Sequence, residues 1–542
     1  MSAASFLAKN IPIVLPRREP TLKNNRSLRS ARRSGLVAMM TLGALGAMGA
    51  SHIAHAQAYD PVVFSFATVG DNRQDPKKPD PTTFLANSSP ATQGGAPSYS
   101  GAVLPQDQEY MQNSAAWAEI QQGITSQGAQ LLFFNGDMIY GYGRPIMPNE
   151  WIGNPVTWKT PISPSLGETV YPDAFFEYIQ YAYWRGTVST MFSGGTYVIP
   201  VPGNHETQCS ATASPYSSSS ANPNCSTTIN GGKQAYAENE NAFRANMADL
   251  EQDLVNNLRF SNVSGVFATN VTGLTTVTSP GPASTVCTTP GVTSSSCSYS
   301  AGTPANNGPI SGTQQDLDYS FDVVVPGTSL MLHFAVINTD PSGADATAPS
   351  DWLAGDFAAA AARAQAASPA LTPKYFVFGH KAAFTYNYLA NVSGSSVAIG
   401  GSPGAGGLDA NTSTSPNYRN LFWHVIAQYN ATYFCGHEHI PNVQQFADPT
   451  PGSALTNKPY QVIVGSGGSP FDDTMGGSAP NYTEPSEAAY TDRYYAWALV
   501  QVHQSGAVTL NLSGFPDTGI GGSVYDLQNY DVPGTTFSGV LQ

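Results

Sequence analysis

Short runs of β-branched and aromatic residues recur along the chain, and each stops at a glycine followed by polar residues. PVVFSFATV reads as a strand that ends at Gly70-Asp71-Asn72-Arg73, because nearly every position is apolar and turn residues bound it on both sides. LLFFN (131–135) stops at Gly136-Asp137, and TYVIPVP (196–202) stops at Gly203-Asn204-His205-Glu206. Helical stretches are predicted over 110–122 and 173–184, between these strands. Further on, YSFDVVV and SLMLHFAVINTD read as a strand pair, followed by an alanine-rich helix over 352–367. The strand KYFVF then delivers Gly379-His380, and the helix NLFWHVIAQY precedes ATYFC, which delivers Gly436-His437-Glu438-His439. YQVIVGSGG and the long run from Tyr494 to Phe515 read as strands of a second sheet. Strands that alternate with helices predict an α/β fold, and in open α/β sheets ligands gather beyond the carboxyl ends of the strands.

Residues 207–315 interrupt this rhythm. Two stretches rich in Ser, Thr, Gly and Pro are too polar and turn-prone for a core, and an amphipathic helix is predicted between them within 233–260. The region reads as a surface insertion, either a rim or lid over a pocket or a plain surface loop. Cys209 and Cys225 bracket one of its loops, Cys287 and Cys297 another, which suits two local disulfides in an oxidising compartment. Cys435, inside an apolar run, reads as a buried inert thiol.

Charge changes the picture at the N-terminus. The 542 residues carry 23 Lys+Arg and 37 Asp+Glu, yet eight of the basic residues and only one acid fall within 1–56. A basic stretch, the apolar run Gly35 to Ala50, and small residues around Ala54 to Ala58 predict a cleaved secretory signal over 1–56. The Arg32-Arg33 pair fits a twin-arginine signal, with a loose match downstream. The expected destination is the periplasm or the medium, with a mature domain over 57–542 that does not enter a membrane. The first predicted strand starts so soon after the expected cleavage site that no separate β-sandwich domain is expected between them. What remains has 15 basic residues against 36 acidic ones, a net charge of −21. A chain so poor in Lys and Arg is a poor candidate for coating nucleic acid or anionic lipid. At 41% hydrophobic it is too apolar for a disordered protein.

The polar clusters carry the chemistry. Asp71, Asp137, Asn204, His205, His380, His437 and His439 all lie at or just beyond strand ends, and they include four of the nine histidines. Carboxylate oxygens with imidazoles and an amide oxygen suit Zn, Mn or Fe rather than Ca or a thiolate-seeking metal. An Asp able to bridge between separate N/O sets suggests two ions, which at about 3.5–4 Å apart form a clamp for phosphoryl displacement. Taken singly, an Asp or Asn at a strand end is more often a turn or helix cap. The joint occurrence argues for a site.

These clusters resemble the blocks of the calcineurin-like metallophosphoesterases, and among them the purple acid phosphatases: GDxG, GDxxY, GNH(D/E), VxxH and GHxH. Here they read GDNR (70–73), GDMIY (136–140), GNHE (203–206), VFGH (377–380) and GHEH (436–439), four of them in full and in order. The resemblance implies a four-layer αββα sandwich of two mixed sheets, with a dinuclear centre at their common edge. It implies Asp71 on the first metal, Asp137 bridging, and Tyr140 as the phenolate ligand that favours Fe(III). Asn204 and His380 would hold the second metal, Fe(II), Zn or Mn, with His437 also on the second and His439 on the first. His205 would be uncoordinated, touching the phosphate and helping to protonate the leaving group.

Two positions depart from the family pattern. Arg73 stands where the superfamily has a metal-binding His and the purple enzymes have Gly; it stays protonated and cannot be a ligand. It is either a phosphate-binding fork or an ion-pair residue facing away. After His380 there is no second His, and Lys381 is a substitute phosphate contact or a solvated side chain. Glu206 reads as a supporting partner or cap, and His333 and His424 as core or surface histidines. The implied activity is hydrolysis of a small phosphate monoester by in-line attack of a metal-bound hydroxide. The rivals are a phosphodiesterase with the same centre, acting on nucleotides, nucleic acids or phospholipid headgroups, and a non-catalytic exported binding protein.

Overall fold

The computed structural model describes residues 60–73, 112–141, 172–210, 317–341, 346–385, 418–469, 494–516, 521–527 and 537–542, with short pieces between 233 and 272 and at 407–408. In chain order its elements are β1 (Val62–Val69), α1 (Ser114–Ser126), β2 (Leu131–Asn135), α2 (Pro172–Gly194), β3 (Tyr197–Val201), the single turn α3 (Asn204–Thr207), β4 (Gln208–Ser210), β5 (Lys233–Ala235), β6 (Phe267–Thr272), β7 (Tyr319–Val324), β8 (Leu330–Val336), α4 (Ser350–Ala366), β9 (Thr372–Phe378), α5 (Tyr418–Tyr429), β10 (Thr432–Cys435), β11 (Pro441–Gln445), β12 (Tyr460–Val464), β13 (Tyr494–His503), β14 (Val508–Pro516) and β15 (Tyr525–Asp526).

Two mixed sheets result. The first runs β15-β14-β13-β1-β2-β3, with β1, β2 and β3 parallel and β13 to β15 antiparallel beside them. The second runs β11-β12-β10-β9-β8-β7-β6, with β8, β9, β10 and β12 parallel and antiparallel strands at both edges.

Alternation along each strand decides the layers. Phe64 and Phe66 of β1, Leu131 and Phe133 of β2, Phe376 and Phe378 of β9, and Phe434 of β10 face between the sheets in one core. Phe133 stacks on Phe378 across that core with ring centroids 3.6 Å apart. The opposite faces carry two further cores. Ala67, Val69, Leu132 and Phe134 pack with Trp117 and Ile120 of α1 and Trp184 of α2. Val377, Tyr433 and Cys435 pack with Trp352 and Phe357 of α4 and Trp423 of α5. The fold is therefore a four-layer αββα sandwich, and its strands read as continuous apolar runs because both of their faces are covered.

Some boundaries differ from the sequence expectation. α1 covers 114–126 rather than 110–122, because the Asn113 side chain accepts from the Ala116 amide at 3.2 Å and caps it, while Ile124 extends the buried stripe. α2 runs on to Gly194, ten residues past the expected end at 184. Within 207–315, β4 pairs with β5, β6 joins the edge of the second sheet, and helical residues between 239 and 250 bury Phe243 and Met247 in the core under the first sheet. The Cys225, Cys287 and Cys297 positions and the signal segment 1–56 lie outside the described residues; Cys435 is free and buried. Among the described residues no helix is long and apolar enough to cross a membrane.

Candidate metal centre

Because β1, β2 and β3 are parallel, as are β9 and β10, the residues that follow them emerge on one side of each sheet. The two sets meet where the sheets face one another: His380 Nδ1 donates to the Asn135 carbonyl at 2.7 Å, and the His437 amide donates to Asp71 Oδ2 at 3.0 Å. The close approach excludes side chains at the glycines of the blocks. A Cβ on Gly436 would lie 2.2 Å from Asp71 Oδ2, and one on Gly136, which has φ +82°, would lie 2.6 Å from His380 Nδ1. Five described non-glycine residues have positive φ, and three of them are Asp71, Asp137 and His437. Each costs roughly 1–2 kcal/mol of backbone strain, which the surrounding contacts hold in place.

Two groups of donors result. Asp137, His380 and His437 converge in one, and Asp71, Asp137 and His439 in the other, with the ligand atoms of each group within 4.8 Å of one another. Asp137 belongs to both. Asn204 Oδ1 joins the first group, 2.8 Å from His380 Nε2 and 2.9 Å from His437 Nδ1. His380 Nε2 also lies 3.1 Å from Asp137 Oδ1 and 3.1 Å from His437 Nδ1.

The donor set fits a pair of cations. A carbonyl only accepts, so the proton of neutral His380 sits on Nδ1 and its Nε2 lone pair points at two oxygens and a nitrogen, which calls for a positive charge. Asp71 Oδ1 is buried with no hydrogen-bond partner; His439 Nε2 lies 3.5 Å away. Electrostatics agree. Burial alone would lower His380, but the Asp137 and Asp71 carboxylates raise it to about 9, so a proton stands where a cation would neutralise the same charges. Burial, then the positive charges of His380 and Lys381, holds His437 well below its usual range, as a neutral ligand requires. Burial raises Asp71; burial would raise Asp137 too, but His205, His380 and Arg73 hold it well below the carboxylate range.

His205 Nδ1 is held by the Tyr140 carbonyl, and its Nε2 faces Asp137 Oδ2 at 3.6 Å. The Tyr140 ring packs against His205 with centroids 5.5 Å apart, and its amide donates to Gln180 Oε1 at 2.7 Å. Arg73 neither faces away nor stands clear of the carboxylates: its Nε donates to Asp137 Oδ2 at 3.2 Å. Lys381 is not in water. It is buried, with Nζ 2.5 Å from Asp340 Oδ1.

Several supporting residues escaped the sequence reading. Gln112 donates to the Met138 carbonyl and accepts from Asn72, both at 2.7 Å, and so ties the first two ligand loops together; nothing in its surroundings in sequence marks it. Asp340 accepts from Lys381, from Gln208 Nε2 at 3.1 Å and from the Ala346 amide at 3.0 Å. Its signal was present, since INTD also ends a strand in polar residues. Asn239 donates to the Gln208 carbonyl at 2.9 Å and so ties the middle of the 207–315 region to β4, which starts that region just after His205. His333 and His424 lie apart from the centre; His333 pairs with Asp322 and Asp356 in the core, and His424 with Asp448 near the surface.

No protein-family profile matches the chain, and no curated protein sequence matches it. Among solved structures it is similar to one described as the structure of PhoD, with a TM-score of 0.38 and 11% identity over 86% of this chain and 69% of that one. It is also similar to a dimetal phosphatase from Danio rerio, with a TM-score of 0.35 and 9% identity over 84% of this chain and 97% of that one. A third is GAP50, the anchor in the inner membrane complex of Plasmodium, with a TM-score of 0.31 and 10% identity over 86% and 89%. Likeness at this level carries no argument, and the site stands on its own geometry.

Proposed function

We propose that the protein is an exported phosphoesterase that uses two metal ions to hydrolyse small phosphate monoesters. The observation that carries this is the shared carboxylate: Asp137 stands in both donor groups, at the common strand-end edge of two sheets. Asp71, Asp137 and His439 would hold one cation, and Asp137, Asn204, His380 and His437 the other. When bound, two such ions supply Lewis acidity toward the phosphoryl oxygens and lower the pKa of water. Export rests on the basic and apolar segments of residues 1–56.

The chain's own groups do the rest. The contact of His205 Nδ1 with the Tyr140 carbonyl fixes the ring so that Nε2 points past Asp137 Oδ2. With Nε2 protonated and Asp137 beside it, that atom can hand a proton to the departing alkoxide. Arg73 lies on the same oxygen of Asp137, within the region where a phosphoryl group would meet His205. The Lys381 ammonium is engaged by Asp340, so the role we give it is to hold the loop after His380 rather than to bind substrate first.

Chromogenic monoester and diester substrates, with and without chelator, test the reading. Turnover of the monoester that chelator abolishes and metal restores is expected; faster turnover of the diester would replace the substrate class. No turnover of either by metal-loaded protein would leave a binding protein. Tyr140 is proposed as a ligand of Fe(III), paired with Fe(II), Zn or Mn. A visible absorption band lost in Tyr140→Phe is the expected result, and a colourless, fully active metal-loaded enzyme would refute the iron–tyrosinate assignment.

A further inference from the structure

We propose that Arg73 trades metal affinity for anion affinity: its guanidinium weakens the hold of the centre on its cations and strengthens the hold of the loaded centre on a phosphate-like anion. This rests on the metal-centre reading above. Three observations support it. The first is position: Arg73 Nε lies 3.2 Å from Asp137 Oδ2, and Asp137 is the one carboxylate common to both donor groups, so a charge placed on it acts on both cations. The second is that the residue is anchored. Its backbone bridges to Gln112, and its carbonyl accepts from Ser469 Oγ at 2.8 Å. The third is charge balance. Two carboxylates, three imidazoles and an amide leave a pair of divalent ions with excess positive charge, a Tyr140 phenolate on Fe(III) leaves the same excess, and Arg73 adds to it.

A guanidinium stays protonated and cannot coordinate, so near Asp137 it acts only by charge and hydrogen bonding. Toward a cation its effect is repulsive, and it draws charge from the shared oxygen. In a buried pocket that repulsion is weakly screened and exceeds the benefit of one orienting hydrogen bond. Toward an anion the sign reverses. The guanidinium presents its fixed charge and N–H donors beside the same Asp137 oxygen that His205 Nε2 approaches at 3.6 Å.

The test uses the full-length protein, stripped of metal. Zinc affinity is measured by competition with a chromophoric chelator, and binding of inorganic phosphate to the zinc-loaded protein by calorimetry. Arg73→Gln is expected to bind zinc about tenfold more tightly and phosphate about tenfold more weakly. Arg73→Lys, which keeps the charge, is expected to stay close to wild type in both. A merely structural role would weaken the two together. Zinc binding unchanged or weakened in Arg73→Gln, or phosphate binding unchanged or tightened, would overturn the inference, as would equal effects in the two variants. Arg73→Met carries the same expected signs should Arg73→Gln not fold. If wild-type protein binds no zinc, the metal-centre reading fails first.

Discussion

Glu206 accepts the backbone amides of Asp137 and Gly203 on one oxygen, both at 2.8 Å, and that of Ile139 on the other at 3.1 Å. It thereby fastens the second and third ligand loops to each other and stabilises Asp137 in its left-handed conformation. In Glu206→Gln one side-chain oxygen becomes an NH2, which faces backbone donors and cannot accept. Metal affinity should fall by about 10–100-fold with the fold retained, a change that chelator competition and thermal melting would detect together. Unchanged affinity would mean that the loops hold themselves. The candidate ligands were legible in the sequence because Asp, Asn and His after apolar runs are rare in combination. Glu206 was legible only as a type of residue, and its three partners were not, because they are backbone amides brought in by two other loops. Gln112 and Gln180 were invisible for a related reason: a single glutamine acquires meaning only from what folds against it.

Helix α4 is fixed to the second sheet by a buried charge network that plays no part in the proposed chemistry. His333 of β8 lies between Asp322 of β7 at 2.7 Å and Asp356 of α4 at 2.8 Å, and Arg363 of α4 reaches Asp322 at 2.7 Å. Burial alone would lower His333, but Asp356 and Asp322 raise it to about 9 from its ordinary 6.5. A folded-state value above the unfolded one gives stability that is present in full below about pH 6.5 and is lost as pH rises through about 9. The loss should be roughly 3 kcal/mol. Urea unfolding at pH 6 and pH 9.5 would measure it. His333→Gln should lower stability at pH 6 by roughly 3–5 kcal/mol and flatten the slope between the two pH values, because buried Asp356 loses its cationic partner and Asp322 keeps only Arg363. The β7, β8 and α4 runs were each legible from their apolar pattern. This clamp was not, since it joins positions on three elements.

The sandwich rests on the aromatic core between its sheets, where Phe133 meets Phe378 and Phe66 packs edge-on against Phe133, Phe334, Phe376, Phe378 and Phe434. Both sets of ligand loops grow from strands that share this core, so the spacing of the sheets sets the spacing of the donors. Phe133→Ala should cost about 3–5 kcal/mol and lower metal affinity as well as the unfolding midpoint. Unchanged metal affinity would show that the loops fix the site without the core. The α/β class was legible from apolar strands that alternate with helices, whereas the four-layer arrangement was implied only by the resemblance carried in the block motifs. The contribution of 207–315 was read as surface because its Ser- and Pro-rich stretches dominate, although Phe243 and Met247 enter the core. The scarcity of Lys and Arg also fits the proposed function: with few basic side chains, most of the positive charge at the centre would come from the ions at Asp137, with Arg73 beside them. Anomalous diffraction from crystals of the metal-loaded protein tests this most directly. Two peaks are predicted at the strand-end edge, one among Asp71, Asp137 and His439 and the other among Asp137, Asn204, His380 and His437. A single peak, or peaks that do not share Asp137, would contradict it.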